Sequence, residues 1–158
     1  MSCLPEKDVR MAELMPLFRE ALDAGKSVRF SPRGISMKPM LRQGKDSVLL
    51  SPLPDKLKKY DLPLYRRPDG KYILHRIVAV EGDHYVCCGD NQYVLETPVY
   101  HDQMIALVTA FTRGERQISV TAPGYRLYCR LWCAARPLLR FYKRSRALLS
   151  RLKRRLSL

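Results

Sequence analysis

Apolar positions change their spacing twice along this chain. From Met11 to Leu22 they fall at three- and four-residue steps (Met11, Leu14, Met15, Phe18, Leu22), which is one face of a helix, with Asp8 ahead as a cap and Gly25 behind as a stop. Pro16 lies inside that stretch and is expected to kink or split it. After Gly25 the apolar residues alternate or gather in short runs: Ser27–Phe30, Ser47–Leu50, Leu62–Tyr65, Tyr72–Val80, His84–Cys88 and Met104–Phe111. These predict strands, of which Tyr72–Val80 is the longest. Pro68-Asp69-Gly70, Glu81-Gly82-Asp83 and Gly89-Asp90-Asn91 read as turns between them, so a mostly antiparallel β domain is expected over 26–121. Beyond Pro123-Gly124 the helical step returns on Tyr128, Leu131, Trp132, Ala135, Leu138 and Tyr142, then on Leu148, Leu152 and Leu156. Pro137 is expected to interrupt it. The chain thus divides into an N-terminal helix (1–25), a β domain (26–121) and an amphipathic helical tail (122–158).

Charge sharpens the last of these divisions. The net +14 is not spread evenly, because the last acidic residue is Glu115, whereas Arg126–Leu158 holds nine Arg and two Lys. That segment carries +11 and leaves +3 on the rest. A basic helix with an apolar stripe suits an anionic membrane surface; nucleic-acid binding is the weaker alternative, and simple packing on the β domain a third. No apolar run approaches the ~18 residues that a spanning helix needs. Glu6, Asp8, Glu13 and Pro16 also argue against a secretory signal or anchor, so the expected location is cytoplasmic, peripheral at the membrane. Five cysteines (Cys3, Cys87, Cys88, Cys129, Cys133) make an odd set without a CxxC pair, which fits a reducing compartment. Cys87 and Cys88, adjacent on a strand, point to opposite faces and make a poor metal site even with His84 and His101 nearby. No metal or other cofactor is implied.

Three short segments could carry chemistry. Ser36 sits between two predicted strands in Gly34-Ile35-Ser36-Met37-Lys38-Pro39, where Gly34 permits a bend that exposes a hydroxyl and Pro39 fixes the exit. His75 has the pKa range for proton transfer at neutral pH and lies in the longest predicted strand between Ile73 and Ile77. Asp90, in the Gly89-Asp90-Asn91 turn, offers a carboxylate to orient that ring, and Glu96 is a second acid in range. Lys38, Lys58 and Lys59 are reserve bases, though ordinary lysines are mostly protonated at neutral pH. Taken singly, Ser36 also fits a polar turn residue, His75 a hydrogen-bonded core histidine, and Asp90 a turn former.

Together, Gly34-x-Ser36-Met37-x-Pro39, His75-Arg76-Ile77-Val78 and Gly89-Asp90-Asn91 resemble the signal peptidase I-like serine peptidases, the clan that includes the LexA-like repressor domains. The spacing, 39 residues from Ser36 to His75 and 15 from His75 to Asp90, is similar to the branch that uses histidine as base, typical of endoplasmic-reticulum and archaeal signal peptidases. The likeness spans roughly 26–110, and Gly44-Lys45-Asp46 stands where members usually carry Gly-Asp. It implies a coiled, mainly antiparallel β fold and serine endopeptidase activity. Ser36 would be the nucleophile, His75 the base, Asp90 its orienting acid and Glu96 a secondary acid. Gly34, Ser36 and Met37 would form the oxyanion turn, with the Ser36 N–H as donor and Met37 packed beneath. A peptide or protein substrate would add as an extended strand, with a small neutral residue before the scissile bond. The competing expectation is a catalytically silent peptide-binding or regulatory module of the same fold.

Overall fold

The computed structural model describes residues 11–156, and the side chains of all of these except 139, 143 and 147–156. Cys3 and the Asp8 cap lie outside the described residues, as do the side chains of Leu148, Leu152 and Leu156. Helix α1 (Met11–Asp23) buries Met15, Phe18 and Leu22. Its end closes as the Gly25 signal predicts: Gly25 turns to φ +73°, its N–H donates to the Leu22 carbonyl (2.9 Å), and the Lys26 N–H donates to the Ala21 carbonyl (2.9 Å). Pro16 does not split the helix. It removes a single i→i−4 donor while the buried residues on either side hold the flanking turns.

The body is mainly antiparallel β in two sheets. The first runs β1 (Val28–Phe30), β2 (Val48–Ser51), β8 (Met104–Arg113), β3 (Pro63–Arg66), β4 (Tyr72–Leu74), with β9 (Arg116–Ser119) also paired to β8. The second is β5 (Arg76–Glu81), β6 (His84–Cys88), β7 (Glu96–Tyr100). β8 is long enough to serve β2 along one edge and β3 then β9 along the other. Its alternating burial puts Ala106, Val108 and Ala110 inward, which makes it the spine of the main core. A second apolar cluster centred on Tyr65, Ile77, Tyr85, Cys87 and Met104 joins the sheets.

The Tyr72–Val80 stretch is two strands rather than one. The chain leaves the first sheet after Leu74 and enters the second at Arg76, so His75 occupies the corner instead of a strand centre. Alternation fails at this point, with His75, Arg76 and Ile77 all buried in succession. β7 and β9, which the hydrophobic pattern does not announce, each turn a single apolar residue toward the interior, Val99 and the half-buried Ile118.

Helix α2 (Pro123–Leu156) runs through Pro137 without ending. Its first turns pack on the body: Tyr125 and Cys129 belong to the main core, and Tyr128 and Trp132 are half-buried. Leu131, Leu138 and Tyr142, expected on the same stripe, are instead exposed. Among the described residues no helix is long and apolar enough to cross a membrane.

Candidate active site

Ser36 lies on the loop between β1 and β2, half-buried. Gly34 makes the bend at φ +92°, a conformation that L side chains rarely adopt. Past the serine, Met37, Met40 and Leu41 are buried and hold the loop to the main core. Lys38 N–H donates to the Ile35 carbonyl (3.2 Å) and Leu41 N–H to that of Met37 (3.0 Å), while Arg113 Nη2 donates to the carbonyls of Pro39 (3.2 Å) and Met40 (2.6 Å). The loop is closed by Asp46, whose buried carboxylate accepts the Arg42 N–H and guanidinium at 2.8–2.9 Å. The hydrogen bonds from Arg42 hold that carboxyl below its ordinary pKa.

His75 is 2% exposed, and its Nδ1 sits 2.8 Å from Glu96 Oε1. Glu96 in turn accepts the Tyr65 hydroxyl (2.8 Å) and both faces of the Arg67 fork, through Nε (2.7 Å) and Nη2. Burial works to raise the Glu96 carboxyl, but hydrogen bonds from His75, Arg67 and Tyr65 outweigh it and hold it well below the usual carboxylate range. Burial pushes the Tyr65 phenol up, and Cys87 and Glu96 nearby add to the shift. Tyr65 is therefore a neutral donor. The Nδ1–Glu96 contact leaves Nε2 as the ring nitrogen that Glu96 does not engage.

That nitrogen lies against Gly89, which also borders the serine loop. A Cβ on Gly89 would lie 3.1 Å from His75 Nε2 and 2.6 Å from the Ser36 carbonyl oxygen. Gly89 is thus the contact point between the two segments, and its missing side chain lets them meet. Asn91 completes the clamp: its N–H donates to the Ser36 carbonyl (2.7 Å) and its Nδ2 to that of Ile35 (3.1 Å). Ser36, Gly34, Met37 and His75 line one small cavity of about 100 Å³, bounded on its other side by Tyr72–Leu74.

Asp90 does not take the role expected of it. Its carboxylate is fully buried in a two-pronged pair with Arg76, Nε to Oδ1 at 2.9 Å and Nη2 to Oδ2 at 2.8 Å, and it also accepts the Tyr128 hydroxyl (2.9 Å). The geometric reason is the corner at His75, which sends the ring toward β7 and the next side chain, Arg76, toward the Gly89–Asn91 turn. Glu96 is the acid at His75. Tyr65, on β3, and Arg67, just past its end, are its other partners; no motif marks the segment that holds them, so spacing does not single them out. Arg76 had a signal: it adjoins His75, and two acids stood in range of the pair.

Lys38 is exposed and does not line the cavity; Lys58 is also exposed, and the Lys59 ammonium lies over the Tyr60 ring at 5.3 Å. Cys87 and Cys88 diverge as predicted, Cys87 into the second apolar cluster and Cys88 toward the Val94 carbonyl (3.1 Å). Burial pushes the Cys87 thiol up to about 12. His84 faces Asp83 and Glu81, and His101 faces Tyr85. Among the described residues no three His, Cys, Asp or Glu side chains gather as a metal site.

A hydroxyl and an imidazole on the wall of one cavity, with a carboxylate fixed on the ring's Nδ1, are the kinds of group from which an activated nucleophile is assembled. No family model, curated protein or solved structure matches the chain.

Proposed function

We propose that the chain is a serine endopeptidase of the signal peptidase I-like type, with Ser36 as nucleophile, His75 as general base and Glu96, rather than Asp90, as the orienting acid. One observation carries this reading: Ser36 and His75 share a cavity while Glu96 holds the far ring nitrogen at 2.8 Å. Ser36 Oγ attacks the scissile carbonyl as His75 Nε2 accepts its proton. The imidazolium so formed is stabilised by Glu96 and returns the proton to the leaving amine. Water then repeats the sequence on the acyl-enzyme. The Ser36 N–H, on the bend made by Gly34, is the proposed oxyanion donor.

The substrate reading follows from the walls of the cavity. β4 pairs with β3 on one edge and is the terminal strand of its sheet, so its other edge can take an extended peptide. About 100 Å³ beside Ser36 suits a small residue before the scissile bond. The two-sheet antiparallel architecture is compatible with the coiled fold of the signal peptidase and LexA-like clan.

The test is cleavage of a diverse peptide library together with covalent labelling by a fluorophosphonate. Wild type is expected to cleave and to be labelled on Ser36, Ser36→Ala to lose about 10⁴-fold or more, and Glu96→Gln to lose about 10²–10⁴-fold in kcat. No cleavage, with peptide binding unchanged in His75→Ala, would instead make the chain a binding module.

A further inference from the structure

Helix α2 carries two apolar faces, and the β body uses one of them. The inward face is Tyr125, Tyr128, Cys129 and Trp132, at the steps of a single helical side. Roughly opposite stand Leu127, Leu131, Leu138 and Phe141, with Tyr142 beside them, exposed by 56, 62, 74, 74 and 57%. Arg126, Arg130, Arg140 and Arg144 are exposed on the flank between the two faces, and no acidic residue follows Glu115 anywhere in the chain. Arg146 lies over the Tyr142 ring at 5.7 Å.

The flank leads into a groove of about 440 Å³ between α2 and the segment after β6. Tyr93, Leu95, Pro137 and Phe141 give it apolar walls, and Arg136, Arg140 and Arg144 give it cations. Arg136 is anchored at the groove: its Nη2 donates to the Gln92 carbonyl (3.3 Å), and its charge acts on the Cys88 thiol beside it, working against the rise that burial causes there. Three guanidinium groups beside apolar walls, with no acid among the lining residues, fit an anionic oxygen carried on an apolar stem.

We infer that this outer face of α2, with the arginine groove beside it, docks the protein on an anionic bilayer surface. The apolar stripe enters the headgroup and acyl boundary, and the exposed guanidinium groups of Arg140 and Arg144 meet lipid phosphates. A polyanion such as DNA would use the arginines and leave the leucine and phenylalanine stripe in water. The inference stands apart from the peptidase chemistry, because none of its residues lines the Ser36 cavity.

The full chain is mixed with vesicles of pure phosphatidylcholine or of phosphatidylcholine with one-third phosphatidylglycerol, and binding is read by co-sedimentation. Wild type should bind the anionic vesicles, bind the neutral ones at least tenfold more weakly, and lose affinity between about 0.05 and 0.5 M salt. The double variant Leu131→Glu/Phe141→Glu should lose at least tenfold with its unfolding midpoint unchanged. Arg140→Gln and Arg144→Gln should each lose about fivefold. Equal binding to both vesicle types would overturn the inference. So would tighter binding to duplex DNA that survives in the Leu131/Phe141 variant, or a dimer that this variant dissolves while vesicles go unbound.

Discussion

His75 and Arg76 are consecutive, each takes one carboxylate, and the two pairs live in different surroundings. The His75–Glu96 pair borders a cavity, and Glu96 keeps 18% of its side chain exposed, whereas both side chains of the Arg76–Asp90 pair are at 0%. The second pair is saturated. Besides Asp90, Arg76 reaches the Tyr60 carbonyl (3.2 Å), the Tyr125 hydroxyl (2.9 Å), Cys129 Sγ (2.9 Å) and Met40 Sδ (3.2 Å), and the Tyr125 and Tyr128 rings lie 5.5 and 5.8 Å from its guanidinium carbon. Burial works against its charge, but Asp90 more than offsets this and raises the guanidinium above its ordinary value. It ties the serine loop, the second sheet and α2 at one point. One pair is therefore built to be reached and the other to be sealed, and a single peptide step at the sheet corner separates them.

The sharpest way to break this comparison is to empty one side of the sealed pair. Asp90→Ala leaves a buried guanidinium without its counter-charge and is expected to cost about 3–5 kcal/mol in urea unfolding. Replacing both partners, as in Arg76→Met/Asp90→Leu, should recover most of that loss, because two apolar side chains need no pairing. Since Asp90→Ala alone can fall below the folding threshold, the double variant keeps the test open. A loss under about 1 kcal/mol for Asp90→Ala would show that the pair does not hold the fold, and a double variant worse than the single would show that Arg76 holds it through its other partners.

How far the sequence foretold this arrangement depends on the kind of signal each part emits. β6 appears where alternation and its flanking turns put it, and Gly25 ends α1 as its position predicts, because both depend on local spacing. β7 and β9 turn one apolar residue each toward the interior, so they have no hydrophobic alternation to read. The corner at His75 was hidden for the opposite reason: a run of β-forming residues looks continuous whether or not the chain changes sheets. With the corner unseen, Asp90 and Glu96 could not be shared correctly between His75 and Arg76, although all four were in view. The two faces of α2 were merged for a similar reason, since apolar spacing does not say which side the body occupies.

Gly89 tests the comparison where the two pairs come closest. Its absent side chain admits both the Ser36 carbonyl and the His75 ring, and its own carboxyl neighbour, Asp90, belongs to the sealed pair. Gly89→Ala puts a methyl 2.6 Å from a backbone oxygen that Asn91 holds in place, so the serine loop or the ring must shift. The expected cost is about 1–3 kcal/mol of stability. Activity should fall further than that loss of folded protein explains, and a variant with wild-type rates would show that the close approach is not needed.

The smallest effect belongs to the reachable pair and is a matter of pH. Glu96 is held below its ordinary carboxyl pKa by His75, Arg67 and Tyr65 against the opposing effect of burial. The unfolded chain therefore binds the proton more readily than the folded one. Its contribution is complete above the ordinary carboxylate range and fades as pH falls toward the depressed folded value. Glu96→Gln removes that dependence, at a cost of about 1–2 kcal/mol near neutrality, since a neutral amide still accepts hydrogen bonds but offers the Arg67 fork no charge. Urea unfolding of wild type and variant at pH 7 and again near pH 3 should show the gap closing by half or more in acid. A gap that keeps its full size at both values would mean that Glu96 acts through shape rather than charge, and the distinction between a reachable ionised pair and a sealed one would lose its electrostatic half.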